Sequence, residues 1–234
     1  GKSLEDAAKE VLGNTNGADY VVITNDLFVG AAQALAAHRA SHLPGFANPR
    51  TRVVKVSDIS AWYSGGRLDP TAIRNFIYDT IKGVGWSPAP SYVCFLGDAS
   101  YDYKNIQHSV LNGQPTNFVP TYPNGYDSAQ FSMDDWLVDI DLGVWEPYPN
   151  GPPPGYPDSV MYNVADLAAG RIPAASVAEA DFLVNGKIIP YETAPTLGEW
   201  RQRGLLLADD TTQGFEPDGL STEHMFGSEL IANE

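Results

Sequence analysis

The sequence is poor in cysteine, in basic residues and in long apolar runs. Its single cysteine, Cys94, excludes an internal disulfide. Only 14 lysines and arginines stand against 29 aspartates and glutamates, which gives a net charge of −15, and the basic residues form no cluster. Nucleic acids and anionic membrane surfaces are therefore not expected as partners. No run approaches the ~18 apolar residues of a membrane helix, so we expect no membrane insertion.

What the sequence does contain is typical of a folded chain. Hydrophobic residues make up 43% and aromatic residues 11% of the 234 positions, which is enough for one large core or two small ones. The acidity fits a soluble extracellular protein, a halotolerant protein or a calcium-binding protein, and composition does not choose among them. Residues 222–234 predict a helix without a capping glycine or a following proline, which favours a segment of a longer chain.

The first hundred residues alternate between predicted strands and helices. Apolar, β-branched runs predict buried strands at 20–24, 52–56 and 92–96. An alanine-rich helix is predicted at 27–39, and the pair Asp69-Pro70 is typical of the start of another helix. Strands separated by helices pair in parallel through right-handed crossovers, so this pattern predicts an α/β fold.

Residues 99–165 break the pattern because they are dense in Pro, Gly, Asn, Asp and Tyr. A connection of this length is usually functional or ion-bound. The α/β pattern resumes with a short strand at 166–171 and a helix at 176–191. Gly186 and Pro190 predict a bend or break near the end of that helix.

Acidic residues lie beside several predicted strands, namely Asp98, Asp166 and the pair Asp209-Asp210 that follows a last predicted strand at 205–208. In an open parallel sheet the carboxyl ends of the strands face the ligand crevice. Carboxylates gathered there would suit Ca²⁺, which takes about six to eight oxygen ligands. The alternative interpretation is that each aspartate caps a helix or satisfies loop amides.

A second acidic patch lies at 133–141. It lacks the glycine and the terminal glutamate of an EF-hand loop, so that motif is rejected. If residues 137–142 are extended, Asp139 and Asp141 point to one face. The simpler interpretation is then a solvated edge, and the alternative is a pair of carboxylates neutralised by a cation.

The residues alone predict no nucleophile. Cys94 lies in an apolar strand, whereas a reactive cysteine needs a partly exposed, electropositive setting, so we interpret it as a core residue. His38 and His42 lie at the end of a predicted helix, and no Cys or Glu nearby in the sequence completes a zinc site with them. The sequence contains neither a Gly-x-Ser-x-Gly elbow nor a phosphate-binding glycine loop.

Several segments carry a family resemblance through their order and spacing, although no single one is decisive. They are ADYVVITN (18–25), DPTAIR (69–74), YVCFLGDASYDY (92–103), VPTY (119–122), SMDDW (132–136), DLAAGRIP (166–173), AEAD (178–181) and KIIPYE (187–192). Together they resemble the gingipain-type cysteine peptidase family.

The resemblance implies a caspase-like α/β fold, a three-layer sandwich around a mostly parallel sheet. Residues 1–17 would be a lead-in, 18–195 the first α/β subdomain with a long loop insertion at 99–165, and 196–234 the start of a second subdomain. In this family the catalytic histidine lies in a Gly-His-Gly turn after a later strand, and the cysteine follows the next strand. No histidine here lies between two glycines, so the dyad is assigned to no residue of the chain.

The resemblance assigns roles to two pairs of site residues. Asp98 and Asp166 fall where related proteinases place acidic residues around structural Ca²⁺. Thr222 and Glu223 fall near the base of the primary specificity pocket, where arginine-specific members keep an acidic residue. If Thr222 occupies the position of that acidic residue, arginine specificity is disfavoured. If Glu223 occupies it, the pocket would accept a basic side chain.

The function implied is that of a secreted or cell-surface cysteine endopeptidase related to type IX secretion, of which this chain is a fragment. Its partners would be a protein or peptide substrate and the remainder of its own catalytic domain, and no organic cofactor is expected. Because the chain lacks the dyad, we expect it to be inactive alone. The alternatives are a non-catalytic binding module with the same fold and a flavodoxin-like ligand-binding domain.

Overall fold

A computed structural model describes residues 3, 17–84, 86–100, 102, 117–124, 131–140, 144–147, 159–162 and 165–204. The chain divides into two compact units, 1–193 and 194–234. In the second unit the described residues contain one short 3₁₀ helix, Glu199–Gln202. All other helices and strands of the described residues belong to the first unit.

The strands of the first unit are β1 (Tyr20–Thr24), β2 (Thr51–Lys55), β3 (Tyr92–Leu96), β4 (Tyr122–Asn124), β5 (Phe131–Met133), β6 (Val144–Pro147), β7 (Ser159–Tyr162) and β8 (Ala168–Ile172). Its α-helices are α1 (Val29–Arg39), α2 (Val56–Tyr63), α3 (Pro70–Ile81), α4 (Asp135–Val138), α5 (Val177–Asp181) and α6 (Ile189–Thr193). A 3₁₀ turn, Asp26–Phe28, precedes α1, and a π-helix, Phe182–Ile188, connects α5 to α6.

A four-stranded parallel sheet in the order β2-β1-β3-β8 forms the centre of the unit. The predictions of parallel pairing and of strands at 20–24 and 92–96 are confirmed. The strand predicted at 52–56 ends one residue earlier, because Val56 is the first residue of α2, a helix that the sequence did not predict. Val56 and Ile59 are buried on this helix, which places it against the sheet.

Side chains alternate between the two faces of the sheet and so build two cores. On one face Val21, Ile23 and Phe95 pack with the buried residues of α2, α3 and α4. On the other face Val22 and Cys94 pack with those of α1, α5 and the π-helix. Helices on both faces of a parallel sheet make a three-layer α/β sandwich, and the predicted fold class is confirmed.

The start of α3 matches its sequence signal. The Oδ1 atom of Asp69 accepts a hydrogen bond from the amide of Thr71 at 2.8 Å, and Pro70 takes the first helical position, where its missing N–H is not needed. Ile73 and Phe76 are buried on one side of the helix. Local chemistry therefore determines both where α3 begins and which face it buries.

The break predicted from Gly186 and Pro190 takes the form of the π-helix between α5 and α6. Pro190 cannot donate the backbone hydrogen bond that a regular α-helix requires at its position. At Gly186 an added Cβ would lie 2.9 Å from the ring of Phe182, so this ring lies directly over the glycine. The distorted segment leads into α6, which carries Glu192.

The region predicted as a long loop, 99–165, contains regular structure where it is described. β4 pairs with β5, and β6 pairs with β7, both antiparallel. Residues 137 and 138 belong to α4, so the extended conformation considered for 137–142 is wrong there. Asp139 is buried rather than part of a solvated edge, because the end of α4 packs against the core, and Asp141 lies outside the described residues.

Candidate functional site

The carboxyl edge of the sheet is the natural place to look for a site, since the strand order reverses between β1 and β3. In this structure a short segment, residues 117–121, covers that position. The ring of Phe118 packs against Phe28 with 4.8 Å between ring centroids, and Asn25 donates its Nδ2–H to the carbonyl of Phe118 at 3.3 Å. The crevice is therefore filled by the chain itself.

Gly97 allows the covering segment to lie close to the end of β3. Its φ is +142°, and a Cβ added there would lie 3.0 Å from both Phe118 Cβ and Val119 Cγ2. The amides of Phe118 and Val119 both donate to the carbonyl of Asp98, at 2.9 and 3.2 Å. Both the conformation and the close approach require glycine at this position.

Arg171, near the end of β8, ties this edge together. Its Nε and Nη2 donate to the two carboxylate oxygens of Asp134, each at 2.7 Å. Its Nη1 donates to the carbonyls of Gly97 at 2.7 Å and Val119 at 2.8 Å, and its guanidinium lies 5.3 Å from the ring centre of Phe95. One side chain thus joins β8, the end of β3, the covering segment and the start of α4.

The electrostatics of Asp134 follow from this arrangement. Burial alone would raise the pKa of Asp134, but the hydrogen bonds and positive charge of Arg171, with a further bond from the Thr121 hydroxyl at 2.8 Å, leave that pKa below its ordinary value. The Asp134 side chain is 28% exposed and that of Arg171 only 14%. A partly buried, bidentate pair of this kind fixes geometry and offers no free base for chemistry.

Asp98 and Asp166, the predicted calcium ligands, lie at opposite ends of the sheet. Asp98 follows β3, whereas Asp166 precedes β8, and the parallel register pairs Tyr92 with Ala168 and Leu96 with Ile172. The two carboxylates are therefore separated by at least the length of the paired strands, ~13 Å at ~3.3 Å per residue. A single ion cannot bind both, and calcium binding at either residue stays a prediction.

Each of these aspartates accepts a hydrogen bond from a backbone amide. Asp98 accepts the amide of Ala99 on its Oδ1 at 2.9 Å, and the Oδ2 of Asp166 accepts the amide of Ile140 at 2.6 Å. Among the residues that the structure describes, no group of three or more His, Cys, Asp or Glu could hold a metal ion.

A groove of about 340 Å³ lies on the α1 face of the sheet, beside β8. It is lined by Tyr20, Leu35, Arg39, Tyr92, Val93, Cys94, residues 168–172, Ile188 and Glu192. Most of this lining is apolar. Of its charged members, Arg39 and Glu192 form an ion pair with each other, and Arg171 pairs with Asp134.

Cys94 is a core residue, as the sequence predicted. Its side chain belongs to the core on the α1 face, and burial raises the pKa of its thiol to about 11. Hydrogen bonding to Tyr20 and the charges of Arg39 and Arg171 act in the opposite direction but do not overcome burial. At neutral pH the thiol stays protonated, which is the inert form.

Glu192 completes a cluster that the sequence analysis missed. His38 Nε2 lies 2.8 Å from Glu192 Oε2, and Arg39 donates Nη2–H to Oε1 at 2.8 Å and Nη1–H to Oε2. The hydrogen bonds from Arg39 have the largest effect and lower the pKa of Glu192, and the hydrogen bond with His38 lowers it further. No local spacing indicates the cluster, because more than 150 residues separate Glu192 from its partners.

The remaining predicted positions lie outside the described residues. They are the specificity-pocket candidates Thr222 and Glu223, the pair Asp209-Asp210 and the predicted strand at 205–208. Within the described part of the chain, no helix has both the length and the apolar character needed to cross a membrane.

Comparisons with known proteins connect the chain to one family. The sequence matches the family model described as peptidase family C25 over residues 14–233. The structure is similar to the crystal structure of dimeric latent PorU from Porphyromonas gingivalis, with a TM-score of 0.57 and 24% sequence identity. The match covers 82% of this chain and 17% of that one, and at this identity it shows the fold alone. No curated protein sequence matches the chain.

The Asp134–Arg171 pair predicts a pH dependence of stability. Because the pKa of Asp134 is lowered by folding, its contribution is fully present above the unfolded pKa of ~3.9 and is lost as the pH falls through the folded value. We expect the Asp134→Asn variant to be less stable than the wild type at pH 7 and to lose less stability on acidification below about pH 4.

Urea unfolding at a series of pH values measures how the free energy of unfolding changes with pH in the wild type and in the Asp134→Asn variant. The control is Asp181→Asn, which removes the same charge from an exposed position at the end of α5, where Asn185 rather than an arginine donates to the carboxylate. If acidification lowered the free energy of unfolding equally in the wild type and the Asp134→Asn variant, the pair would not contribute as described.

The setting of Cys94 predicts low thiol reactivity. At pH 8 a disulfide reagent such as DTNB should react slowly with the native chain and rapidly with the urea-unfolded chain, because the native thiol is buried and its pKa is about 11. The absorbance of the released product follows the reaction. Fast stoichiometric labelling of the native chain would contradict the core assignment.

Proposed function

Since the chain belongs to peptidase family C25, we propose that it forms part of a gingipain-type cysteine endopeptidase that hydrolyses peptide bonds in proteins or peptides. The observation that carries the proposal is the family match over residues 14–233, and the three-layer fold agrees with it. In this role the first unit is the frame of the enzyme, with a rigid carboxyl edge held by Arg171.

The proposed chemistry uses a cysteine thiolate as nucleophile and a histidine as base. Cys94 cannot supply the thiolate, because it is buried in the core with a raised pKa. His38 is also buried and is engaged by Glu192. We therefore assign the dyad to polypeptide outside these 234 residues and propose that the remainder of the catalytic domain is a partner of this chain.

The proposed location is outside the cell or on its surface, in connection with type IX secretion. The resemblance of the sequence to gingipain-type peptidases supports this location, and the net charge of −15 agrees with it. Primary specificity is proposed to depend on Thr222 or Glu223, with Glu223 the candidate that would accept a basic side chain.

Structural calcium is a separate proposal. Asp98, Ser100 and Asp102 place oxygen-bearing side chains at alternate positions after β3, a pattern that suits a cation with oxygen ligands. The described residues do not complete a metal site, and Asp98 and Asp166 cannot share one ion. A calcium ion would therefore be bound at Asp98 or at Asp166, each independently of the other.

Thermal unfolding tests the calcium proposal directly. We expect CaCl₂ to raise the Tm of the chain and excess EDTA to lower it, since a ligand that binds only the folded state stabilises it. Asp98→Asn and Asp166→Asn, compared with Asp181→Asn, would show which carboxylate takes part. A Tm that neither CaCl₂ nor EDTA changes would rule out structural calcium in this chain.

The assignment of the dyad predicts that the 234-residue chain is inactive. Fluorogenic peptides ending in Arg or Lys should not be cleaved, and the Cys94→Ala variant should behave identically. Hydrolysis that survives Cys94→Ala would reveal a site elsewhere in the chain, and hydrolysis abolished by Cys94→Ala would overturn its role as a core residue.

The peptidase proposal itself is tested on the longer polypeptide that includes the chain. It should cleave fluorogenic peptides ending in Arg or Lys. It should lose this activity when the cysteine that follows the strand after the Gly-His-Gly turn is replaced by alanine. A longer polypeptide without that turn and cysteine would instead support the non-catalytic binding module.

A further inference from the structure

The start of the second unit is exposed and contains arginine. This unit begins at Ala194, and residues 194–198 belong to no helix or strand. The short 3₁₀ helix follows, and Arg203 and Gly204 come after it, again outside any helix or strand. Residues 194–199 are exposed, and so are Arg203 and Gly204. Exposed segments at the boundary of a compact unit are the preferred sites of proteolytic cleavage.

All arginines of the chain lie among the described residues, so their settings can be compared completely. A peptidase binds its substrate as an extended strand, which a residue inside a helix or sheet cannot become without local unfolding. Most of the arginines lie inside such elements, namely Arg39 in α1, Arg52 in β2, Arg74 in α3, Arg171 in β8 and Arg201 in the 3₁₀ helix. Arg50, Arg67 and Arg203 lie outside them.

The backbones of Arg50 and Arg67 are held by hydrogen bonds on both sides. The amide of Arg50 donates to the carboxylate of Asp19 at 2.7 Å, and its carbonyl accepts the amides of Asp19 and Tyr20 at 2.8 and 3.1 Å. The carbonyl of Arg67 accepts from the hydroxyl of Ser64, and its amide donates to the carbonyl of Ser64 at 3.4 Å. A peptidase would have to break these bonds before it could bind either arginine.

Arg203 is accessible in both its side chain and its surroundings. Its side chain is 77% exposed and pairs at 3.3 Å with Glu199, whose side chain is 87% exposed. Because so exposed a pair is weak in water, the guanidinium can enter an acidic pocket. The next residue is Gly204, which has no side chain to obstruct an enzyme, and the preceding 3₁₀ helix is too short to resist unwinding.

We propose that the bond between Arg203 and Gly204 is a processing site for a separate, arginine-specific endopeptidase. Hydrolysis breaks the peptide C–N bond. Water supplies the second oxygen of the new Arg203 carboxylate, and both of its protons go to the new amino group of Gly204. The product 1–203 would contain the whole first unit, whereas Thr222 and Glu223, the proposed specificity residues, would belong to a second polypeptide.

This proposal goes beyond the peptidase function, since an added enzyme makes the cut. The test is limited digestion of the 234-residue chain with endoproteinase Arg-C, followed by mass spectrometry of the intact products. The first products should be residues 1–203 and 204–234. Arg203→Gln should slow the first cut at least about tenfold, because glutamine cannot pair with the acidic pocket of the enzyme. Gly204→Pro should slow it as well, because it replaces the amide of the scissile bond.

Matched controls separate the site from general susceptibility. Arg67→Gln removes the other exposed arginine of a loop and should leave the first cut unchanged. Trypsin, which accepts lysine, should still cut Arg203→Lys at the same bond, whereas Arg-C should cut it more slowly. Circular dichroism checks that each variant is folded.

The use of the site is tested on the longer polypeptide purified from its natural source. After digestion with a glutamate-specific peptidase, mass spectrometry should detect a peptide that begins at Gly204. A bond between Arg203 and Gly204 that is intact in all of this material would overturn the proposal. A first Arg-C cut at Arg67 or at any other arginine, equal cutting at all arginines, or the same first product from the wild type and Arg203→Gln would also overturn it.

Discussion

The ion pair between Arg171 and Asp134 is the interaction on which the described carboxyl edge depends. It joins the last strand of the sheet to the start of α4, and the same guanidinium holds the carbonyls of Gly97 and Val119. Removing the arginine would take the guanidinium donor away from a partly buried carboxylate and two carbonyls, which costs more than the pair itself contributes. The covering segment 117–121 is held in place by these bonds.

Short-range sequence signals predicted the helices and strands better than the contacts between distant residues. The strands β1 and β3, the cap of α3 and the break before Pro190 all follow from short-range signals, and the structure confirms them. The pairs Arg171–Asp134 and His38–Glu192 join residues 37 and 154 positions apart, and no spacing rule reaches that far. α2 was missed because it follows β2 without any intervening turn residue.

The placement of Asp166 shows how a small boundary error changes a site. The sequence predicted a strand from 166, but β8 begins at Ala168, and this places Asp166 before the strand, at the amino edge of the sheet. Asp98 follows β3 and lies at the carboxyl edge. In a parallel sheet these two positions cannot meet, so Asp98 and Asp166 are not gathered at one edge, whereas Asp209 and Asp210 lie outside the described residues. Cys94 lies in the core of the described unit, which agrees with the proposal that the peptidase dyad lies elsewhere.

The most direct measurement of the central claim is amide hydrogen exchange in the Arg171→Met variant. If Arg171 holds the covering segment, the amides of Phe118 and Val119 should exchange at least ~10-fold faster than in the wild type, while those of the central strand β1 keep their protection. Arg74→Met is the matched control, because it removes an arginine that bonds the carbonyls of Trp136 and Ile140. Unchanged protection of Phe118 and Val119 in Arg171→Met would contradict the account.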